Sequence, residues 1–216
     1  MKGVEVKTIL FDLDGTLIDS TDAIVESFGV AFHAFDTPVP PKSDITQLIG
    51  YPLDTMFVKL GISSEKALEY VQAYKEHYRV ISRAQTTLLP LAKEAIIRAS
   101  EVAKLGVVTT KTAHYSQELL EHFGVMRYFD VLIGRESITH PKPHPEPILR
   151  AVEELSANSS QTWMIGDTIL DLIAAKEAKV HGVGVLCGYG KRHELEQYTN
   201  ALFLDAKDAV EMIANA

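Results

Sequence analysis

An α/β fold with one helical insertion is the fold class this chain predicts, on three observations. From residue 91 onward, short apolar runs alternate with amphipathic segments at the spacing of βα units, the pattern of a parallel sheet covered on both faces. A run of the same character near the start, Val6-Lys7-Thr8-Ile9-Leu10, leads directly into Phe11-Asp12-Leu13-Asp14-Gly15-Thr16. Between the two lies the stretch 18–87, where helical spacing replaces the alternation and no convincing strand is found.

The expected strands are 6–10, 105–109, 130–133, 162–165, 182–186 and 201–204. Helices are expected at 113–123, where Leu119, Leu120 and Phe123 mark one face and Gly124 stands where a C-terminal glycine belongs, and at 145–155 and 169–178. Within the insertion, Ile24, Phe28, Ala31 and Phe35 follow three- and four-residue steps behind the polar cluster Asp19, Ser20, Thr21 and Asp22, a helix start. Ala67, Val71, Tyr74, Tyr78 and Ile81 repeat the pattern. The breakpoints of the insertion, after Thr16 and around Leu89-Pro90, both fall near the end of the first strand, so the insertion stands over that end of the sheet.

Composition narrows the function classes. The 216 residues are 46% hydrophobic and 23% charged, enough apolar material for one large domain plus a small insertion. Lys and Arg number 21 against 29 Asp and Glu, a formal charge of −8, and no basic run interleaved with aromatics is present, so nucleic acid is not an expected partner. The single Cys187 excludes an intrachain disulfide framework. The opening MKGVEVKTIL has no signal-peptide core and no segment approaches the ~18 apolar residues of a membrane span, so a soluble, cytoplasmic protein without a membrane partner is expected. Monomer and homodimer stay equally open.

Four strand ends carry reactive side chains, and in an open parallel sheet ligands bind outside the carboxyl ends of the strands. Asp12 and Asp14 close the first strand; alone they read equally well as an acidic turn. Val107-Val108 leads into Thr109-Thr110-Lys111, hydroxyls and amides suited to a phosphate oxygen, although Thr110 reads as readily as a helix cap. Lys142 stands among three prolines in His140-Pro141-Lys142-Pro143-His144-Pro145, which would hold its backbone rigid, an odd provision for a merely solvated charge. Trp163-Met164-Ile165 runs into Gly166-Asp167-Thr168-Ile169-Leu170-Asp171, with Asp171 also a plausible stabiliser of the helix start. Together the carboxylates make a hard, oxygen-rich pocket of the kind Mg²⁺ prefers, faced by Thr109 and Lys142.

In FDLDGTLIDS, VVTTK, KPHPEP and IGDTILD, in that order on this strand pattern, the sequence resembles the haloacid-dehalogenase-like hydrolase superfamily over essentially the whole chain, in its phosphoglycolate phosphatase and pyrophosphatase-like branch. The resemblance implies a Rossmann-like doubly wound parallel core of residues 1–17 and 88–216 with an α-helical cap of residues 18–87. It implies that Asp12 is the nucleophile, Asp14 the general acid and base, Thr109, Thr110 and Lys142 the phosphate ligands, and Asp12, Asp14, Asp167 and Asp171 the Mg²⁺ site. The residue after Thr109 is often Asn in such proteins; Thr110 keeps the amide N–H and lacks the side-chain amide. The implied activity is hydrolysis of a small phosphorylated metabolite, a phosphoglycolate-like phosphomonoester or pyrophosphate, through an aspartyl-phosphate.

Competing readings meet specific residues. A dehalogenase has no need of a second carboxylate such as Asp14, since halide leaves without a proton. A sugar phosphomutase would use the same pocket, but Gly15-Thr16 is more usual in phosphatases. A non-catalytic binding or regulatory module would have lost Asp12, Asp14, Lys142 or Asp167, and all four are present. Lys75, Arg79 and Arg83 form a basic stripe at four-residue steps, read first as a solvated helix face and second as a contact for an anionic substrate group. Gly50 sits in a segment, Leu48 to Pro52, that matches a cap loop approaching the site in relatives and reads equally as a turn between helices. Lys111 is expected to matter far less than Lys142, and His33, His77, His114, His122 and His181 show no metal-ligand spacing.

Overall fold

The computed structural model describes residues 6–215; the first five residues of the expected core and Ala216 lie outside them. The chain opens with β1 (Lys7–Phe11) and β2 (Ile18–Asp19), then runs through α1 (Thr21–His33), α2 (Lys42–Thr46), α3 (Leu53–Lys59), α4 (Ala67–Ile81) and β3 (Thr87–Leu88). It continues through α5 (Ala92–Ser100), β4 (Ala103–Val108), α6 (Ala113–His122), β5 (Val131–Ile133), α7 (Glu146–Glu154) and β6 (Thr162–Gly166). The last elements are α8 (Ile169–Glu177), β7 (His181–Val185), α9 (Arg192–Leu195), β8 (Leu202–Phe203) and α10 (Ala206–Ala214). Among the described residues no helix is long and apolar enough to cross a membrane.

Six of the strands form one parallel sheet in the order β5-β4-β1-β6-β7-β8. All six expected strands are present, shifted at their ends by one or two residues. The chain builds outward from β1 through β4 to β5, then returns to the other side of β1 to lay down β6, so the strand order reverses beside β1. That reversal opens a crevice at the carboxyl ends of β1, β4 and β6.

The pleat explains why these strands are apolar on both faces. Ile9 and Phe11 of β1, Leu105 and Val107 of β4, and Trp163 and Ile165 of β6 belong to one buried cluster, completed by Ala92, Ala95, Ile96 and Ala99 of α5 and by Ala206, Ala209, Val210 and Ile213 of α10. The alternate residues Leu10, Val108 and Met164 point the other way, into a second cluster with Ile148 and Ala151 of α7 and Ala174 and Ala175 of α8. Two of these covering helices, α5 and α10, carry weak sequence signals. The first is short and alanine-rich; the second is announced chiefly by Asp205, whose carboxylate accepts the N–H groups of Lys207 and Asp208 at 2.9 and 3.0 Å.

The insertion is helical, with one correction at its ends. β2 and β3 pair antiparallel, Ile18 opposite Leu88 and Asp19 opposite Thr87, so entry and exit form a two-stranded ribbon where no strand is expected. Two-residue strands are too short to show a period. Ile24, Phe28 and Ala31 are buried as α1 predicts, but Phe35 lies past the end of that helix and is 39% exposed. Ala67, Tyr74 and Tyr78 are buried on α4, with Val71 and Ile81 only half-buried.

The insertion has an aromatic core of its own. Phe57 of α3 lies 4.5 Å from Phe28, 5.8 Å from Phe32 and 5.5 Å from Tyr70, ring centre to ring centre, and is completely buried. Phe57→Ala removes the ring that α1 and α4 share and is expected to cost about 3–5 kcal/mol of stability. Urea unfolding checks it: a loss under 1 kcal/mol would mean that the insertion does not fold around this ring.

Candidate active site

Asp12 follows the last residue of β1 and remains tied to the sheet through its own N–H, which donates to the Ile165 carbonyl at 2.9 Å. Its carboxylate is therefore fixed at the strand end, in the crevice, and is buried. A turn follows, with the Gly15 N–H donating to the Ile18 carbonyl at 2.9 Å. Gly15 has φ +85°, and a Cβ there would run into the Asp167 carboxylate, so both backbone and space call for glycine.

Lys142 reaches the same point from the far side of β4. Its ammonium donates to Asp12 Oδ1 at 2.8 Å, to Asp171 Oδ1 at 2.5 Å and to the Val108 carbonyl at 2.9 Å, satisfying all three N–H bonds in a place where the residue is 3% exposed. The loop that carries it is braced by Glu146, whose carboxylate accepts the Thr139 and His140 N–H groups at 2.7 and 2.9 Å. These backbone bonds hold the Glu146 carboxyl down at about 2. The prolines flag the rigidity in the sequence; the brace is visible only in the fold.

Asp167 and Asp171 complete the cluster. Asp167 ends β6 and is held by the Thr16 hydroxyl at 3.1 Å and the Tyr189 N–H at 2.8 Å. Asp171 Oδ2 accepts from the Thr168 N–H at 3.0 Å and the Thr168 hydroxyl at 2.8 Å, so the residue does stabilise the start of α8 while its other oxygen meets Lys142. One carboxylate oxygen from each of Asp12, Asp167 and Asp171 lies within 4.8 Å of the others.

Three buried carboxylates face a single ammonium, and the electrostatics record the imbalance. Burial pushes the Asp12 carboxyl up to about 7, against the pull of Lys142 and with a further push from Asp171 and Asp14. Burial also raises Asp167 well above the ordinary range, helped by Asp12 and Asp171. Lys142 is raised above the usual lysine value, its carboxylate partners outweighing the burial that opposes them. An all-oxygen donor set with uncompensated negative charge fits a hard divalent cation.

Asp14 departs from the expected four-carboxylate set. Its Oδ1 accepts from the Ser20 hydroxyl and its Oδ2 sits 3.2 Å from the Lys111 ammonium, on the side facing the insertion. The side chain meets Ser20 and Lys111, and Asp14 is not one of the three carboxylates gathered at Lys142. Lys111, in turn, is no peripheral charge. Its side chain is 9% exposed, and its ammonium also reaches the Tyr78 hydroxyl of α4 at 2.9 Å and lies 4.5 Å from the ring centre. Only its place after two threonines hinted at this.

The two threonines part company. Thr109 is buried at the end of β4, one residue past the carbonyl that Lys142 grips, and its hydroxyl accepts the Lys111 N–H at 3.1 Å. Thr110 donates its hydroxyl to the Gly50 carbonyl at 2.9 Å, so its side chain ties the core to the insertion instead of facing the carboxylates. That bond also brings the Gly50 loop down to the strand ends. The basic stripe splits: Lys75 is half-buried on a cavity wall beside Asp14, Arg79 is exposed, and Arg83 pairs with Glu118 at 3.2 Å.

Residues 9–185 match the model of the haloacid dehalogenase-like hydrolases. "Probable phosphatase IndB" of Dickeya dadantii is 32% identical over 214 residues, 96% of this chain and 93% of that protein. Pyrophosphatase PpaX of Halalkalibacterium halodurans is 34% identical, over 88% of this chain and 87% of that one. A solved haloacid dehalogenase-like family hydrolase from Streptococcus pneumoniae superposes with a TM-score of 0.86 at 26% identity, covering 96% of this chain and 98% of its own. The chain belongs to the haloacid dehalogenase-like hydrolase family, in its phosphatase branch.

Proton linkage gives this cluster a measurable signature. Between pH 4 and the Asp12 value of about 7, the metal-free protein holds protons on carboxyls that an unfolded chain would release. A divalent cation must displace them, so Mg²⁺ affinity should tighten as pH rises toward about 7 and level off above. Calorimetry at pH 5.5 and 7.5 is expected to show a Kd at least about tenfold lower at the higher pH, with proton release at the lower one. Equal affinity and no proton release would mean that the cation binds elsewhere.

Proposed function

We propose that this phosphatase hydrolyses a small phosphorylated metabolite by two in-line transfers, through an aspartyl-phosphate on Asp12, with Mg²⁺ as its cation. The observation that carries the reading is the division of labour among the acids: three carboxylates gathered around Lys142, and a fourth, Asp14, held apart beside the cavity under the insertion. Residues 18–87 would act as the cap over a core made of the rest of the chain.

Lys142 grips Asp12 by Oδ1, which leaves Oδ2 as the attacking oxygen. Asp12, Asp167 and Asp171 would hold Mg²⁺; bound there, the cation supplies positive charge that offsets the phosphoryl oxygens. Lys142 and Thr109 add donors around the same group. Asp12 Oδ2 forms a bond to phosphorus as the bond to the leaving oxygen breaks, and Asp14 delivers its proton to that oxygen. Asp14 then takes a proton from water, whose oxygen attacks phosphorus and releases phosphate, restoring the Asp12 carboxylate. Lys111, 3.2 Å from Asp14, holds that carboxyl group in position for both proton transfers.

Phosphate release from a panel of esters with Mg²⁺ tests the reading. Asp12→Asn should abolish turnover without unfolding the protein, because the residue lies at a strand end and not in either sheet cluster. Lys142→Ala should lose about 2–4 kcal/mol of transition-state stabilisation. Full activity in Asp12→Asn would remove the covalent mechanism.

Asp14→Asn separates the acid from the nucleophile. An alkoxide leaves badly without a proton and a nitrophenolate leaves readily, so the first step should suffer far more on alkyl phosphates, with a nitrophenol burst ahead of slow turnover. Equal losses on both substrates and no trapped phosphoenzyme would leave Asp14 a purely structural residue.

A further inference from the structure

A cavity of about 250 Å³ lies between the strand ends and the insertion, and Asp14 forms part of its wall. If Asp14 protonates the leaving oxygen, the rest of the leaving group must occupy this space. The lining is therefore a record of what the departing alcohol looks like.

The wall is built from rings and branched chains. Tyr74 and Tyr78 stack with centres 5.4 Å apart and planes 13° from parallel, and Tyr115 of α6 meets Tyr78 edge-on at 6.1 Å. Ile49, Met56 and Val71 line the same space. Its charged groups are the carboxylates of Asp14 and Asp54 and the cations of Lys75, Lys111 and Arg135. Lys111 is already matched by Asp14, and Arg135 donates to the Ile138 carbonyl at 3.3 Å. A compact polyanion would leave the rings and branched chains of the wall uncovered. An apolar cavity of about 150 Å³ holds benzene, so this one takes a single ring with a short linker.

Building on the phosphatase reading above, we infer that the substrate is a phosphate monoester of an alcohol bearing one apolar or aromatic ring, bound with the ring against Tyr74, Tyr78 and Val71. The compact anions phosphoglycolate and pyrophosphate are then poor substrates. Because one methylene in a fitted pocket discriminates by about tenfold or more, a whole ring should do at least as well.

The test compares kcat/KM of the Mg²⁺-loaded enzyme for 2-phenylethyl phosphate, 2-phosphoglycolate and pyrophosphate. The first should exceed both others by at least about tenfold, and 2-phenylethanol should inhibit competitively where glycolate does not. In Val71→Asp, the ratio of 2-phenylethyl phosphate to phosphoglycolate should fall by a similar factor; the inhibition arm uses the unaltered enzyme and stands if this variant fails to fold. A preference for phosphoglycolate or pyrophosphate, with turnover still lost in Asp12→Asn, overturns the ring-bearing substrate and leaves the phosphatase standing. No hydrolysis of any of the three overturns both.

Discussion

Everything at the strand ends depends on one buried ammonium. Lys142 lies where two carboxylates and a carbonyl converge, and without it Asp12, Asp167 and Asp171 would crowd three negative charges into a space closed to solvent. The constraint propagates backward into the fold. The loop bearing Lys142 must be stiff enough to hold the ammonium against three acceptors, which is why prolines flank it and why Glu146 gathers the N–H groups ahead of it. It propagates forward as well: the pair Lys142–Asp171 anchors the first turn of α8 at the site, and the bonds from Thr168 cap that turn. Chemistry and local stability are thus supplied by the same contacts.

The insertion meets this centre through polar contacts made by neighbouring residues of one loop. Thr110 holds the Gly50 carbonyl, and Lys111 holds the Tyr78 hydroxyl while touching Asp14. The aromatic cluster of Phe28, Phe32, Phe57, Tyr70 and Tyr74 keeps the four helices together as a unit, so these contacts are made or lost together. On the core side both of these partners belong to the loop after β4, one strand away from Asp12. The environment of Asp14 accordingly responds to where the helices of the insertion sit, whereas that of Asp12 is set mainly by the core, through Lys142 and Asp171.

This asymmetry explains what could be read from the chain. Asp12, Asp167 and Asp171 follow strand ends directly or sit in the first helical turn after one, and Lys142 is marked by the prolines of its loop, so apolar runs, chain order and proline suffice to point to them, as the runs do to the six parallel strands. The role of Asp171 as helix stabiliser is also legible, since its spacing from Thr168 is a local property, whereas its bond to Lys142 is not. Asp14, Lys111 and Thr110 are different, because their partners Ser20, Tyr78 and Gly50 lie across a boundary that no local pattern encodes. The stripe of Lys75, Arg79 and Arg83 looks uniform as a sequence, yet α4 ends before Arg83, and the three side chains are divided between a cavity, solvent and Glu118. The β2–β3 ribbon escaped because two residues cannot display a period, and α5 because its nine residues, about two and a half turns, display one only briefly.

That ribbon has an architectural consequence. Since Ile18 faces Leu88 and Asp19 faces Thr87, the chain leaves and re-enters the sheet at one point, and the Leu89 N–H donates back to the Leu17 carbonyl at 3.0 Å to seal it. The helices in between form a closed excursion that imposes no spacing requirement on β1 or β4. A lineage could exchange this excursion for another of different length or shape, keeping the ribbon as the socket, and alter what is admitted to the strand ends without retuning the carboxylates beneath. The fold thereby separates the part of the gene that specifies bond breaking from the part that specifies which molecule is presented to it.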